Sequence, residues 1–124
     1  MENSPQILAL ISRFCDELGC PTHAPVLISA YENGTLNIIT AHRDGLLVGI
    51  SGYYVNGRTA HGEVWYVLPE YRRSGVAHDL FARAHEAARQ QGCERVIVSA
   101  KPQRTSLYLK HGYQTEYILM SRGL

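Results

Sequence analysis

Val67-Leu68-Pro69-Glu70-Tyr71-Arg72-Arg73-Ser74-Gly75-Val76-Ala77 is the stretch on which the reading of this chain turns. Gly62 to Leu68 is rich in β-branched and aromatic residues and reads as a strand, which Pro69 ends because proline brings no N–H to a ladder. From Val76 the apolar residues Val76, Ala77, Leu80, Phe81, Ala84, Ala87 and Ala88 recur at helical spacing, opposite His78, Asp79, Arg83, Glu86 and Arg89. A helix therefore opens directly behind Arg72 to Gly75. Its first turn leaves N–H groups unpaired at the positive end of the helix dipole, which attracts phosphate, and two arginines add to that pull. Gly75 permits close approach where a side chain would stand in the way.

Outward from this stretch the chain reads as alternating elements. Ser4 is placed to cap a helix with Pro5 at its first position, and Ile7, Leu8, Ile11, Phe14, Cys15 and Leu18 give that helix an apolar stripe ending at Gly19. Residues 25–33 carry two signals: Val26, Leu27 and Ile28 favour a strand, whereas Gly34 resembles a helix C-cap, and the balance leans to a short second helix. Leu36 to His42 and Leu47 to Val55 flank Arg43-Asp44-Gly45, a hairpin signal, and Asn56-Gly57 marks a second turn. Three antiparallel strands thus precede the cradle. Beyond Gly92, Arg95 to Ala100 reads as a buried strand, Thr105 to His111 as a short helix and Tyr113 to Met120 as a last strand.

Composition bounds the function classes. A chain of 124 residues that is 45% hydrophobic is expected to form one domain, residues 1–124, around one core. A formal net charge of +1 gives no general affinity for nucleic acid. Cys15, Cys20 and Cys93 make an odd set without C-x-x-C spacing, which points to reduced thiols in a cytoplasmic protein, with Cys15 and Cys93 as small packing residues. No apolar run approaches the length of a membrane span, so no membrane partner is expected. His78 and His85 lie seven apart without a third ligand, so no metal is assigned. Walker and Rossmann glycine patterns are absent, which removes nucleotide hydrolysis and hydride transfer.

Arg72-x-x-Gly75-x-Ala77 after Val-x-Pro resembles the pyrophosphate-binding motif of the GCN5-related N-acetyltransferase superfamily, and Leu107-Tyr108-Leu109-Lys110-His111-Gly112-Tyr113 resembles its Leu-Tyr-x-Lys-x-Gly-Phe/Tyr segment. The two matches stand in the right order and, with the strand and helix between them, cover roughly the C-terminal half, while the N-terminal half matches only in element order. The resemblance implies an α/β (α+β) fold with a mixed, mostly antiparallel central sheet flanked by helices, here without the family's usual first strand. An edge left open in that way invites pairing, so a homodimer is expected. Where relatives carry an asparagine ahead of the Leu-Tyr segment, this chain has Lys101, Pro102 and Gln103.

The implied reaction is transfer of acetyl from acetyl-CoA, the cosubstrate, to a primary amine of a small molecule or a protein. The amides of Arg73, Ser74, Gly75, Val76 and Ala77 are the expected pyrophosphate donors, with charge from Arg72 or Arg73. A backbone N–H near Tyr66 or Val67 is expected at the developing oxyanion, with the pantetheine arm beside Trp65 to Val67 if the strand splays as in the family. An alkyl ammonium with a pKa of about 10.4 must lose a proton before it attacks. Glu63 stands where relatives often carry a glutamate base; His61, with a pKa suited to the task, and water are its competitors. Tyr108 occupies the family's position for the acid that protonates the leaving thiolate. The alternative is a non-catalytic module of the same fold that senses acetyl-CoA or binds a protein.

Overall fold

The computed structural model describes residues 4–124. Two helices, α1 (Ser4–Leu18) and α2 (Ala24–Glu32), precede three strands, β1 (Asn37–Arg43), β2 (Leu46–Asn56) and β3 (Thr59–Val67); α3 (Val76–Gln90), β4 (Arg95–Val98) and α4 (Thr105–Lys110) complete the order. The sheet runs β1-β2-β3-β4, antiparallel except for the parallel β3–β4 pair. No strand precedes α1 among the described residues.

Local chemistry explains the boundaries. The segment read as strand or helix is helical, over Ala24–Glu32, because Pro25 falls in the first turn, where a missing N–H costs nothing, and because the helix end is satisfied. There the Thr35 and Leu36 N–H groups both donate to the Ala30 carbonyl at 3.0 Å, and the Thr35 hydroxyl donates to Asn33 Oδ1 at 2.7 Å. Ser4 begins α1, and its hydroxyl is paired with that of Tyr31 at 3.0 Å.

Two helical layers enclose the sheet. Ile7, Leu10, Ile11, Phe14 and Cys15 of α1 recur at i, i+3, i+4, i+7 and i+8 and pack with Leu27 of α2 on Ile50, Val64 and Tyr66. On the other face α3 lays Val76 and Leu80 against Val48 and Val67, Phe81 and Ala84 against Trp65 and Tyr108, and Ala88 against Tyr53 and Ala60. Fully buried side chains such as Ile11, Ile50 and Leu80 each contribute about 1.5–3 kcal/mol of transfer free energy.

Two expectations for the C-terminal quarter are corrected. β4 ends at Val98 and is half-exposed, not a buried strand reaching Ala100. Tyr113 to Met120 forms no strand, and Tyr117, Ile118, Leu119 and Met120 are each 83–85% exposed. Side-chain tethers, Tyr113 to His85 at 2.8 Å and Glu116 to Arg95, hold this segment near the body. β-Propensity measures fit to a half-buried pleated surface, and without a ladder to join it makes no strand. β4 is exposed because nothing pairs along its outer edge.

Candidate active site

β3 and β4 part company, and the site lies where they do. Pairing covers Thr59–Gly62 with Arg95–Val98, after which β3 runs on from Glu63 to Val67 without a neighbour on that side. Gly62 stands at the fork: a Cβ there would lie 2.8 Å from Val98 Cγ1 and 2.9 Å from Trp65 Nε1. The cleft that opens holds about 810 Å³ and is walled by β3 (Trp65, Tyr66, Val67), the turn and first half of α3 (including Arg72, Arg73, Gly75, His78 and Phe81), and the Gln103–His111 region. Its wall carries Arg72, Arg73, Arg104 and Lys110 and, among the described residues, no carboxylate.

Strand parity decides which β3 amides face this cleft. The Leu68 N–H donates to the Val48 carbonyl at 2.8 Å, so in the same antiparallel register Tyr66 exchanges bonds with Ile50, while Trp65 and Val67 turn their backbone groups to the open edge. The side-chain bonds agree: Arg104 Nη2 donates to the Trp65 carbonyl at 2.6 Å and Arg72 Nε to the Val67 carbonyl at 2.9 Å. Of the two oxyanion donors expected from the sequence, Val67 has its N–H on the cleft side and Tyr66 has its N–H in the ladder.

The cradle follows at the start of α3. Gly75 has φ 87° and Arg73 φ 66°, two left-handed residues that bend the chain into the helix. Among the described residues no N–H from Arg73 to His78 meets a backbone acceptor, and the first helical bond runs from Asp79 N–H to the Gly75 carbonyl at 3.1 Å. The requirement for glycine at position 75 is therefore conformational in this structure, since an added Cβ would meet nothing within 4 Å. The Ser74 hydroxyl donates to the Tyr71 carbonyl. Arg72 is already engaged: it holds Glu17 through bonds of 2.9 and 2.8 Å and lies 5.4 Å from the Tyr66 ring centroid. That leaves Arg73 as the cradle arginine outside these bonds.

Tyr108 and Glu63 stand back from the cleft wall. Tyr108 is buried edge-on to Phe81 and Tyr113, with ring centroids 5.9 and 5.4 Å away. Burial pushes its hydroxyl up to about 12, against a downward pull from the facing Arg104 guanidinium. Glu63 is the extra residue of a β-bulge, for Gly52 pairs with Val64 and Tyr53 with Gly62. Such an insertion bends a strand and re-aims a side chain. Burial raises the Glu63 carboxyl above its ordinary range while His23 and His61 pull it back, and His61 stacks on Tyr54 at 4.5 Å.

Sequence reasoning passed over Arg104. It ends the Pro102–Arg104 turn four residues before Tyr108, and that i, i+4 spacing on the segment opening α4 was the available signal. His85, singled out in the sequence only for its spacing from His78, is half-buried, bonded to Tyr113, and held below the ordinary histidine range by burial. The cysteines form no disulfide, and burial pushes the Cys15 thiol up to about 11. No cluster of three or more metal-ligating side chains and no helix long and apolar enough to cross a membrane occur among the described residues.

Comparison with known proteins agrees with this architecture. No curated protein matches the sequence at a significant level. Among solved structures, a GCN5-related N-acetyltransferase from Ralstonia eutropha JMP134 superposes with a TM-score of 0.80 at 15% identity, covering 99% of this chain and 93% of that one. A predicted acetyltransferase with acetyl-CoA from Clostridium acetobutylicum gives 0.78 at 14% identity, covering 98% and 90%. AAC(6')-Iy in complex with the bisubstrate analogue CoA-S-monomethyl-acetylneamine gives 0.72 at 21% identity, covering 99% and 92%. These likenesses show the fold. The model of the acetyltransferase (GNAT) domain matches residues 34–115, more than half of the sequence, and the chain belongs to that family of acetyltransferases.

Proposed function

We propose that the protein transfers acetyl from acetyl-CoA to a primary amine by direct attack. The observation that carries this reading is the run of amides from Arg73 to His78 without backbone acceptors, opening on a cleft that lacks carboxylates and borders the unpaired edge of β3. Arg73, Ser74, Gly75, Val76 and Ala77 hold the pyrophosphate by backbone donation, with charge from Arg73 more than from Arg72. Val67 N–H donates to the oxygen of the thioester carbonyl as it gains charge. Glu63 takes the amine proton directly or through water, its raised carboxyl being closer to a useful base at neutral pH. Tyr108 returns a proton to the thiolate. The acceptor amine enters near His23, Tyr54, His61 and Glu63, on the side of β3 away from the cleft.

The related structures support the donor and leave the acceptor broad, since one was determined with acetyl-CoA and another with a CoA-linked neamine analogue. Three unbridged cysteines fit a reducing cytoplasm, and a second copy of the chain is the partner assigned to the open sheet edge. A second reading, an acetyl-CoA-binding sensor or interaction module without catalysis, draws on the position of Tyr108 and Glu63 behind the cleft wall. A screen of amines and peptides with acetyl-CoA, reading released thiol beside the melting temperature, separates the two. At ligand a hundredfold above its dissociation constant, binding alone stabilises by about 2.7 kcal/mol. A melting shift with thiol release supports the enzyme, a shift with none across the screen supports the module, and no shift at millimolar acetyl-CoA overturns both.

A further inference from the structure

Arg104 is a cation without a full set of partners at the centre of the site. Its Nη2 donates to the Trp65 carbonyl at 2.6 Å, its guanidinium carbon lies 5.4 Å from the Phe14 ring centroid, and its Nε is buried with no acceptor among the described residues. The nearby carboxylate, Glu17, feels the Arg104 charge but is already held by two bonds from Arg72. One carboxylate therefore faces two guanidiniums, and the excess positive charge borders the cleft. Leaving a buried donor unpaired is destabilising, so a site retaining one fits an acceptor that arrives later.

Position narrows what that acceptor is. The Trp65 carbonyl gripped by Arg104 and the Val67 N–H are successive groups on the same edge of β3, with only Tyr66 between them. The cradle amides lie further on, at the start of α3. Arg104 also faces the Tyr108 hydroxyl. We propose that Arg104 is a further catalytic residue, whose guanidinium stabilises the thiolate of CoA as it leaves, in concert with Tyr108. The proposal rests on the acetyl-transfer reading above.

The step balances without another reactant. The amine nitrogen forms a bond to the thioester carbon, the carbon–sulfur bond breaks with its electron pair going to sulfur, and the surplus amine proton passes to the base. Sulfur then bears the negative charge. A cation at bonding distance lowers the energy of that charge before any proton reaches it, as positive neighbours stabilise thiolates generally.

The test needs no acceptor and no turnover. Free CoA has a thiol with a pKa of about 8.5, whereas acetyl-CoA has none to ionise, so the ratio of their affinities reports the state of the bound sulfur. The other titratable groups on the cleft wall are Arg72, Arg73 and Tyr66 from β3 and its turn, His78 and His85 from α3, Lys110 at the end of α4 and His111 just after it, with Tyr108 and Glu17 beside Arg104 behind the wall. Titration of these groups acts on both ligands and largely cancels in the ratio. If Arg104 moves the bound thiol from about 8.5 to about 7.5, the affinity for CoA relative to acetyl-CoA rises about sixfold from roughly pH 7 to 9, towards a limit of about tenfold at higher pH. Calorimetric titration should show that rise in wild type and in R104K, and a flat or falling ratio in R104Q, or in R104M should R104Q not fold.

A flat ratio in wild type overturns the proposal, as does a rise that survives in R104Q. Equal weakening of both ligands at every pH in R104Q, with a flat wild-type ratio, would make Arg104 a phosphate contact and also overturns it. If wild type binds neither ligand, the acetyl-transfer reading fails and this inference falls with it, an outcome distinct from binding without thiol preference.

Discussion

Arg72 and Glu17 fasten the cradle to the first helix. The Arg72 guanidinium donates to both Glu17 oxygens at 2.9 and 2.8 Å and to the Val67 carbonyl at 2.9 Å, so one side chain joins α1, the end of β3 and the turn before α3. An arginine that the sequence offers for phosphate charge is thus a brace, and the positive potential of the cleft comes from Arg73, Arg104 and Lys110.

The brace makes a prediction about acid. Hydrogen bonding to Arg72 holds the Glu17 carboxyl below its ordinary range, so the pair contributes stability above the ordinary carboxylate pKa and loses it as pH falls through the lowered folded value. Both side chains are about two-fifths exposed, which limits the contribution to about 1 kcal/mol or less. Glu17→Gln should melt slightly below wild type at neutral pH, and the gap should close in acid. An undiminished gap at about pH 3 would show that the loss came from packing.

At Gly75 the constraint is the backbone. With φ 87° and open space around the missing Cβ, Gly75→Ala costs only the left-handed conformation, about 1–2 kcal/mol, visible as a melting temperature lower by several degrees. Gly75→Glu should in addition abolish stabilisation by acetyl-CoA. A glutamate variant that kept the full ligand shift would remove the pyrophosphate from this turn.

What the sequence made legible was what neighbours along the chain decide. The start of α3 at Val76 follows from Pro69, Gly75 and an apolar stripe, all local, and the opening at β3 follows the family's pattern. What it hid depends on partners far away. Tyr113 to Met120 has the composition of a strand and no edge to join, and the bulge at Glu63 exists only in the register between β2 and β3. The bracing of Arg72 was hidden for the same reason, because Glu17 lies 55 positions away.

Gly62→Ala tests the fork. The new methyl would sit 2.8 Å from Val98 Cγ1 and 2.9 Å from Trp65 Nε1, closer than carbon atoms settle, so β4 or the indole must shift. Overpacking of this kind costs about 1–3 kcal/mol. The variant should melt lower and, because Trp65 lines the cleft, bind acetyl-CoA more weakly. Wild-type stability and affinity together would mean that the fork yields freely.

Tyr108→Phe separates proton donation from packing, since it keeps the ring on Phe81 and removes only the hydroxyl. With its hydroxyl pushed up to about 12, Tyr108 remains protonated throughout the neutral range and should impose no alkaline limb on the rate below about pH 10. The acetyl-CoA melting shift should be retained while turnover on a confirmed acceptor falls about 10²-fold. Unchanged turnover would return Tyr108 to the core.

Glu63 makes opposite predictions for stability and for rate. Burial raises its carboxyl in the folded state, so its favourable contribution is full below the unfolded pKa and is lost as pH rises through the folded one; above that point the native state carries a charge it would sooner be without. Glu63→Gln should therefore melt at or above wild type at neutral pH, with the advantage shrinking towards pH 4, near the ordinary value of about 4.3. Turnover should move the other way. If Glu63 relays the amine proton, the variant should be slowest relative to wild type near neutral pH and recover in alkali, where free amine is abundant without help. His61→Ala, which removes the ring stacked on Tyr54, should then change the rate little. If instead His61→Ala erases the acidic limb while Glu63→Gln follows wild type, the roles are exchanged. Wild-type profiles in both variants would assign proton removal to water or to the amine before it binds, and both residues would leave the catalytic set.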